Sequence, residues 1–304
     1  MVTLPNGVEI NNLIEDLKIY SWEAADILIN YSEKIKDFQL KNEILKSIDL
    51  NNPVTEADLK VNELIIKNIR ENYSAVDWDI LSEENVKLNS KSSGFDSDWL
   101  WILDPLDGTK DFLQETGEYA MHLALNYKGR PYIGIVLIPS KNELWIAVGG
   151  KFWCEKRKNK SFEKYLLKRS KSLEEMILVT SKNHRNDNLQ RLIEIINFKK
   201  VIKMGSIGCK VASIMRGESD IYISLSLPGK SSPKDWDFAA PDSILKAAGG
   251  EITKINHPGL LYGKPNFEQG GIIIASNNNL KHQNICSQLR EIINKCEVYP
   301  IPLN

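Results

Sequence analysis

Trp101-Ile102-Leu103-Asp104-Pro105-Leu106-Asp107-Gly108-Thr109 is the stretch on which the reading turns. The apolar run Trp99 to Leu103 has the content of a buried strand, and it stops at two carboxylates three residues apart. Pro105 stiffens the turn, and Gly108 permits a close backbone approach. Thr109-Lys110-Asp111-Phe112 can open a short helix whose free N–H groups would face whatever the acids hold, which suits a phosphate. Carboxylate oxygens with a backbone carbonyl are the donor set that Mg²⁺ takes. The plainer alternative is an Asx-type turn, with one Asp at a cap and Asp-Gly at a bend.

Working outward, acids stand at several other element ends. Ser82-Glu83-Glu84 closes the strand-like DWDILSEEN, Asp235-Trp236-Asp237 opens a helix, and Asn52 to Asp58 opens another. Each has a plain use at the positive end of a helix dipole. Gathered in one pocket, they would form a site for hard cations.

The surrounding pattern is mixed α and β. Leu13 to Ile35 repeats apolar residues at helical intervals, with Asn11 or Asn12 as its cap, and a second helix is expected from Thr55 to Asn72. NVKLNSKSSGFDSD reads as a surface loop. Strands follow at Tyr119 to Tyr127, Tyr132 to Ile138 and Leu144 to Val148, the last two joined through PSKNE, so an antiparallel sheet flanked by helices is expected. From ILVTS onward strands and helices alternate, with helices at Asp187 to Ile196, Val211 to Arg216, from WDFAAPDSILKAAGG and at the C-terminal end. We expect an N-terminal α+β unit over 1–150, a basic linker over 151–172 and a C-terminal α/β unit over 173–304. The linker holds nine Lys or Arg and two acids, so it is a solvated edge or a steering patch for an anionic substrate. No repeat or low-complexity tract interrupts the chain.

Composition excludes several classes. With 304 residues and 42% hydrophobic content the chain can bury a real core in one large or two modest domains. Lys plus Arg is 39 against 40 Asp plus Glu, so the basic excess of a dedicated nucleic-acid binder is missing. No run approaches the about 18 apolar residues of a membrane span. MVTLPNGVEINN lacks the pattern of a secretory signal, and four scattered cysteines form no CxxC pair. A cytoplasmic protein without disulfides is expected, and any metal should be held by oxygen.

The order Asp58, Glu83-Glu84, DPLDGT at Asp104 to Thr109, Trp236-Asp237-Phe238-Ala239-Ala240 and Gly249-Gly250 resembles the inositol monophosphatase superfamily, from about residue 13 to Ser276. The resemblance implies the layered α-β-α-β-α sandwich of the inositol monophosphatase and fructose-1,6-bisphosphatase type, and an Mg²⁺-dependent, Li⁺-sensitive phosphomonoesterase. DPLDGTKDF is most similar to the 3'(2'),5'-bisphosphate nucleotidase branch, which takes the 3'-phosphate from adenosine 3',5'-bisphosphate (PAP) to leave AMP. The implied setting is sulfate assimilation, with PAPS a further substrate. Ser181-Lys182-Asn183-His184 resembles that branch's S-x-x-H. Gly205-Ser206 with Lys210 resembles its G-S-x-x-K at one residue longer spacing.

By this resemblance Glu83, Asp104, the Leu106 carbonyl, Asp107 and Asp237 would bind two or three Mg²⁺ ions, and Asp58 would hold a weaker ion or orient a water. Thr109, backed by Asp58 or Glu83, would handle the water's proton, and the Gly108 and Thr109 amides would hold a phosphate oxygen. Ser181, His184, Ser206, Lys210 and Lys230 or Lys234 would meet the nucleotide. Without cations the carboxylates should repel one another and retain protons.

There are departures. The branch's Arg two residues after the strand Tyr is Ser224 here, so Lys230 or Lys234 would supply that charge. WDFAAP carries Pro241 where relatives have Gly, so the helix is expected to begin later. Trp99 and Trp101 read as packing, Cys209 as an inert buried thiol, and Gly249-Gly250 as a helix stop. The rival readings are the same chemistry on inositol monophosphate or fructose 1,6-bisphosphate, a non-catalytic nucleotide sensor and, more remotely, a nucleic-acid role for the basic run. Monomer and homodimer are both open.

Overall fold

A computed structural model describes residues 2–36, 56–88, 95, 97–157, 171–183 and 185–300. Eight α-helices stand among the described residues: α1 Ile10–Lys36, α2 Glu56–Asn72, α3 Glu83–Leu88, α4 Thr109–Leu113, α5 Asp187–Ile196, α6 Ile207–Met215, α7 Asp235–Ala247 and α8 Asn279–Lys295. Six strands, β1 Asp79–Ser82, β2 Trp99–Asp107, β3 Ala120–Tyr127, β4 Arg130–Ile138, β5 Glu143–Val148 and β6 Lys151–Lys156, form the first sheet in sequence order. Only β1 and β2 run parallel in it. The second sheet holds β7 Ile177–Ser181, β8 Lys200–Met204, β9 Ile221–Leu225, β10 Glu251–Lys254 and β11 Ile272–Ser276, in the order β10-β11-β9-β7-β8.

Side-chain alternation along the strands sets the layers. Trp99, Trp101 and Leu103 of β2 and Leu123 and Leu125 of β3 face α1 and α2, where Leu13, Leu17, Leu28, Val61 and Ile65 bury against them. The intervening Leu100, Ile102, Ala120 and Ala124 face the opposite way, into a core shared with α6, α7 and one face of the second sheet through Val179, Tyr222, Ile273 and Ala275. Ile221, Ile223, Ile272 and Ile274 point outward to α5 and α8. The result is the α-β-α-β-α sandwich. The middle helix packs tightly on β4: a Cβ at Gly134 would stand 2.5 Å from Ser243 Cβ and 2.8 Å from the Ala240 carbonyl, so only glycine fits.

Several boundaries differ from expectation for local reasons. α1 starts at Ile10, so Asn11 and Asn12 lie inside it and cap nothing. The stretch expected to link two units begins with a strand: Lys151–Lys156 pairs with β5, and Arg157 bridges to Asp26 of α1, while residues 158–170 lie outside the described residues. Residues 37–55, which include the expected helix start at Thr55, are also outside them. β2 does not stop at Leu103 but runs through Asp107. α6 begins at Ile207 rather than Val211, because Ser206 caps it by accepting from the Cys209 amide. Pro241 does not delay α7, which begins at Asp235 and carries the proline in its interior, leaving the Asp237 carbonyl without its i+4 donor. Gly249 and Gly250 end α7 as expected, their amides returning to the Lys246 and Leu245 carbonyls at 3.0 and 2.9 Å. No helix among the described residues is long and apolar enough to cross a membrane.

Candidate metal centre

Asp104 and Asp107 are three residues apart on one strand, a spacing that would send them to opposite faces of a regular ladder. The ladder is not regular here. Asp104 pairs with His122 and Asp107 with Ala120, so three steps on β2 match two on β3 and a bulge absorbs the extra residue. Leu106 donates its amide to Asp104 Oδ1 at 3.1 Å within the bulge. Gly108 then takes φ 88°, and a Cβ there would meet the Glu118 carbonyl at 2.8 Å, which requires glycine before the short helix α4.

The bulge places both carboxylates beside the start of α7. One ligand oxygen each from Asp104, Asp107 and Asp237 lies within 4.8 Å of the others. Asp237 accepts the Lys234 amide at 2.5 Å, as an acid in a first helical turn does. Burial, and then Glu83, Asp107, Asp237 and Asp58, push the Asp104 carboxyl well above the usual range. Burial, and then Asp107, do the same to Asp237. Asp58, fully buried on α2, is raised by burial, Glu84 and Glu83, with Lys87 opposing. Burial raises Glu83 against the pull of Lys87. All four acids therefore hold protons more tightly than free carboxylates, because burial disfavours the charged form and neighbouring acids repel it. A partly buried set of hard carboxylate oxygens fits a hard divalent cation better than a softer one.

Asp107 is the best-supported of these acids. Its Oδ2 accepts from Ser206 Oγ at 2.7 Å, the Ile207 amide at 2.5 Å and the Gly208 amide at 3.4 Å. His122 Nε2 lies 3.5 Å from the same oxygen, and its Nδ1 lies 3.3 Å from the Trp236 carbonyl. Burial lowers the His122 pKa, with Asp107 opposing. Thr109 Oγ1 donates to the Leu106 carbonyl at 3.1 Å.

The residues expected to meet substrate are less uniform. Ser206 is fully buried and directed at Asp107. Lys210, 2% exposed, donates to the Gly205 carbonyl and lies 5.5 Å over the Tyr222 ring. Burial lowers its pKa, with Asp107 opposing. Lys234 pairs with Glu268 at 2.9 Å, and Lys230 is exposed on the loop before it. Ser181 ends β7, and His184 lies outside the described residues.

Three contributors were not singled out from sequence. His122 looked like one more residue of a buried strand. Lys87 pairs with Glu83 and Glu84 at 2.9 and 2.6 Å; its i+4 spacing to Glu83 was the available signal. Asp111, fully buried, accepts from Lys182 at 3.0 Å, Asn183 at 2.8 Å and Thr116 at 3.0 Å. It thereby ties the 181–183 segment to α4, which follows Asp107.

Cys209 is buried, as expected of a packing thiol, and burial pushes its pKa up to about 12. A second buried cluster gives no nucleophile. His282 bonds Ser276 and Thr253 at 2.8 Å each, is lowered to about 4 by burial, and stands beside Cys286, raised to about 11 by burial.

The family profile described as Inositol monophosphatase family matches residues 15–294. A 3'(2'),5'-bisphosphate nucleotidase CysQ of Buchnera aphidicola is 32% identical over 205 residues, covering 66% of this chain and 71% of that protein. The Nus factor SuhB of Pasteurella multocida is 28% identical over 282 residues, covering 90% of this chain and 92% of its own. The crystal structure of CysQ from Bacteroides thetaiotaomicron matches the fold with a TM-score of 0.64 at 24% identity, over 84% of this chain and 94% of that one.

Proposed function

Since the chain belongs to the inositol monophosphatase family of metal-dependent phosphatases, we propose that it is an Mg²⁺-dependent phosphomonoesterase that removes the 3'-phosphate of PAP to leave AMP. The observation that supports this most is the convergence of Asp104, which is buried, with the partly buried Asp107 and Asp237 within 4.8 Å, where burial and neighbouring acids raise the pKa of Asp104 and Asp237. A pure binding module gains nothing from acids that cost stability until cations arrive. The substrate reading rests on DPLDGTKDF and on the nucleotidase relative at 32% identity.

In this reading Asp104, Asp107, Asp237, Glu83 and the Leu106 carbonyl hold the cations, and Asp58 a further one or a water. When bound, the ions supply charge neutralisation of the phosphate and a more acidic water. The residues of the chain do the rest. Thr109 Oγ1, which donates to the Leu106 carbonyl at 3.1 Å, accepts a hydrogen bond from the attacking water and orients it, and Asp58 or Glu83 takes the water's proton. The Gly108 and Thr109 amides hold a phosphate oxygen as charge grows on it. Ser206 and Lys210 act from behind, on Asp107 and the Gly205 carbonyl. Ser181, His184 and Lys230 or Lys234 meet the nucleotide.

The test is phosphate release from PAP, PAPS, inositol 1-phosphate and fructose 1,6-bisphosphate, with and without Mg²⁺ and Li⁺. PAP should give the highest kcat/KM, with no turnover after chelation. A higher kcat/KM on inositol 1-phosphate overturns the substrate assignment, and release that survives chelation overturns the metal-dependent reading.

A further inference from the structure

Lys87 lies one helical turn beyond Glu83 on α3. Its ammonium stands 2.9 Å from Glu83 Oε1 and 2.6 Å from Glu84 Oε1. The Glu84 side chain is 2% exposed and that of Lys87 21%, so solvent screens these pairs less than surface ones. Asp58, fully buried on the adjoining helix, feels both glutamates and Lys87. The chain therefore supplies a cation of its own to the Asp58–Glu83–Glu84 side. On the Asp104–Asp107–Asp237 side the lysine is Lys210, whose Nζ is directed at the Gly205 carbonyl instead of a carboxylate.

A divalent ion bound to Glu83 must share that carboxylate with the ammonium. If it takes Oε1, the ammonium has to leave. If it takes the other oxygen, two positive charges stand within a few ångströms and repel. Removing the ammonium without a replacement leaves three acids in a buried corner, which is also costly.

We propose that Lys87 is a tethered counter-cation: it holds Glu83 and Glu84 together in the metal-free protein and competes with the divalent ion that takes Glu83. The proposal rests on the metal-dependent reading above. Lys87 is a positioning residue that acts through Glu83, and it keeps one cation site weak and exchangeable.

The experiment is calorimetric titration of Mg²⁺ and of Mn²⁺ into chelator-treated full-length protein without substrate, for wild type, Lys87→Met and Lys87→Arg, with melting curves in the presence and absence of Mg²⁺. Lys87→Met should bind the weaker ion about tenfold more tightly, the scale of one charge removed beside another. It should melt below wild type when metal-free and regain the difference with Mg²⁺. Lys87→Arg should keep the wild-type affinity. If Lys87→Met fails to fold, Lys87→Gln is read in the same way. Metal affinity equal to or weaker than wild type in the neutral variant overturns this proposal alone. Wild type that binds no divalent ion overturns the metal-dependent reading and this proposal with it.

Discussion

Ser206 Oγ lies 2.7 Å from Asp107 Oδ2 although 99 positions separate the two residues, and the same hydroxyl accepts the Cys209 amide at 3.2 Å. One side chain thus caps the helix Ile207–Met215 and aims that helix's first amides at a carboxylate of the candidate centre. Ser206→Ala removes both bonds. Thermal melting should show a loss of about 1 kcal/mol, the usual worth of a cap. Phosphate release should fall about fivefold to tenfold, the worth of one hydrogen bond in a barrier. Unchanged rates would mean that the two amides hold Asp107 without the hydroxyl.

Asp107→Asn separates chemistry from stability. Asp107 raises both Asp104 and Asp237, so neutralising it relieves repulsion in the metal-free fold. Melting without metal should stay level or rise, while turnover with Mg²⁺ falls at least about a hundredfold, the scale of losing a charge-stabilising group. A variant that keeps most of its activity would count against the centre.

The raised carboxyls also fix a pH response. The folded state of the metal-free protein binds more protons at Asp58, Asp104 and Asp237 than the unfolded chain does. Stability from these groups is therefore full below the ordinary carboxylate pKa of about 4 and declines as pH rises through their raised values. Mg²⁺ should raise the melting temperature more at pH 7.5 than at pH 5.5, which paired melts with and without chelator would show. An equal rise at both pH values would refute it.

Asp111 makes a different prediction. It accepts Lys182 and Asn183 at 3.0 and 2.8 Å and is fully buried, so it sets where the segment leading to His184 sits. Asp111→Asn keeps the shape and weakens the ion pair. KM for PAP should rise about fivefold with a smaller change in kcat, the pattern of lost ground-state binding. A fall in kcat at constant KM would place Asp111 with the metal loop instead.

The sandwich and the main acids were legible because each rests on local chemistry. Alternation put Trp99 and Trp101 on one face, and DPLDGT joined a strand to a glycine-requiring turn. What stayed hidden depends on packing between distant segments. His122 sits in an apolar strand, and only the docking of the helix Asp235–Ala247 brings it near the Trp236 carbonyl. Reading DWDILSEEN as strand to its end hid Lys87, since a residue four beyond Glu83 is its neighbour only on a helix. Ser206 matched a substrate motif by its letters, whereas its hydroxyl is directed at Asp107.

The acids are split between layers. Asp104 and Asp107 come from the first sheet, Asp58 from an outer helix and Asp237 from the middle helix. The set spans 180 positions of sequence, from Asp58 to Asp237. The candidate centre is therefore complete only when all three layers dock: a species with one layer misplaced would keep its secondary structure yet should release no phosphate.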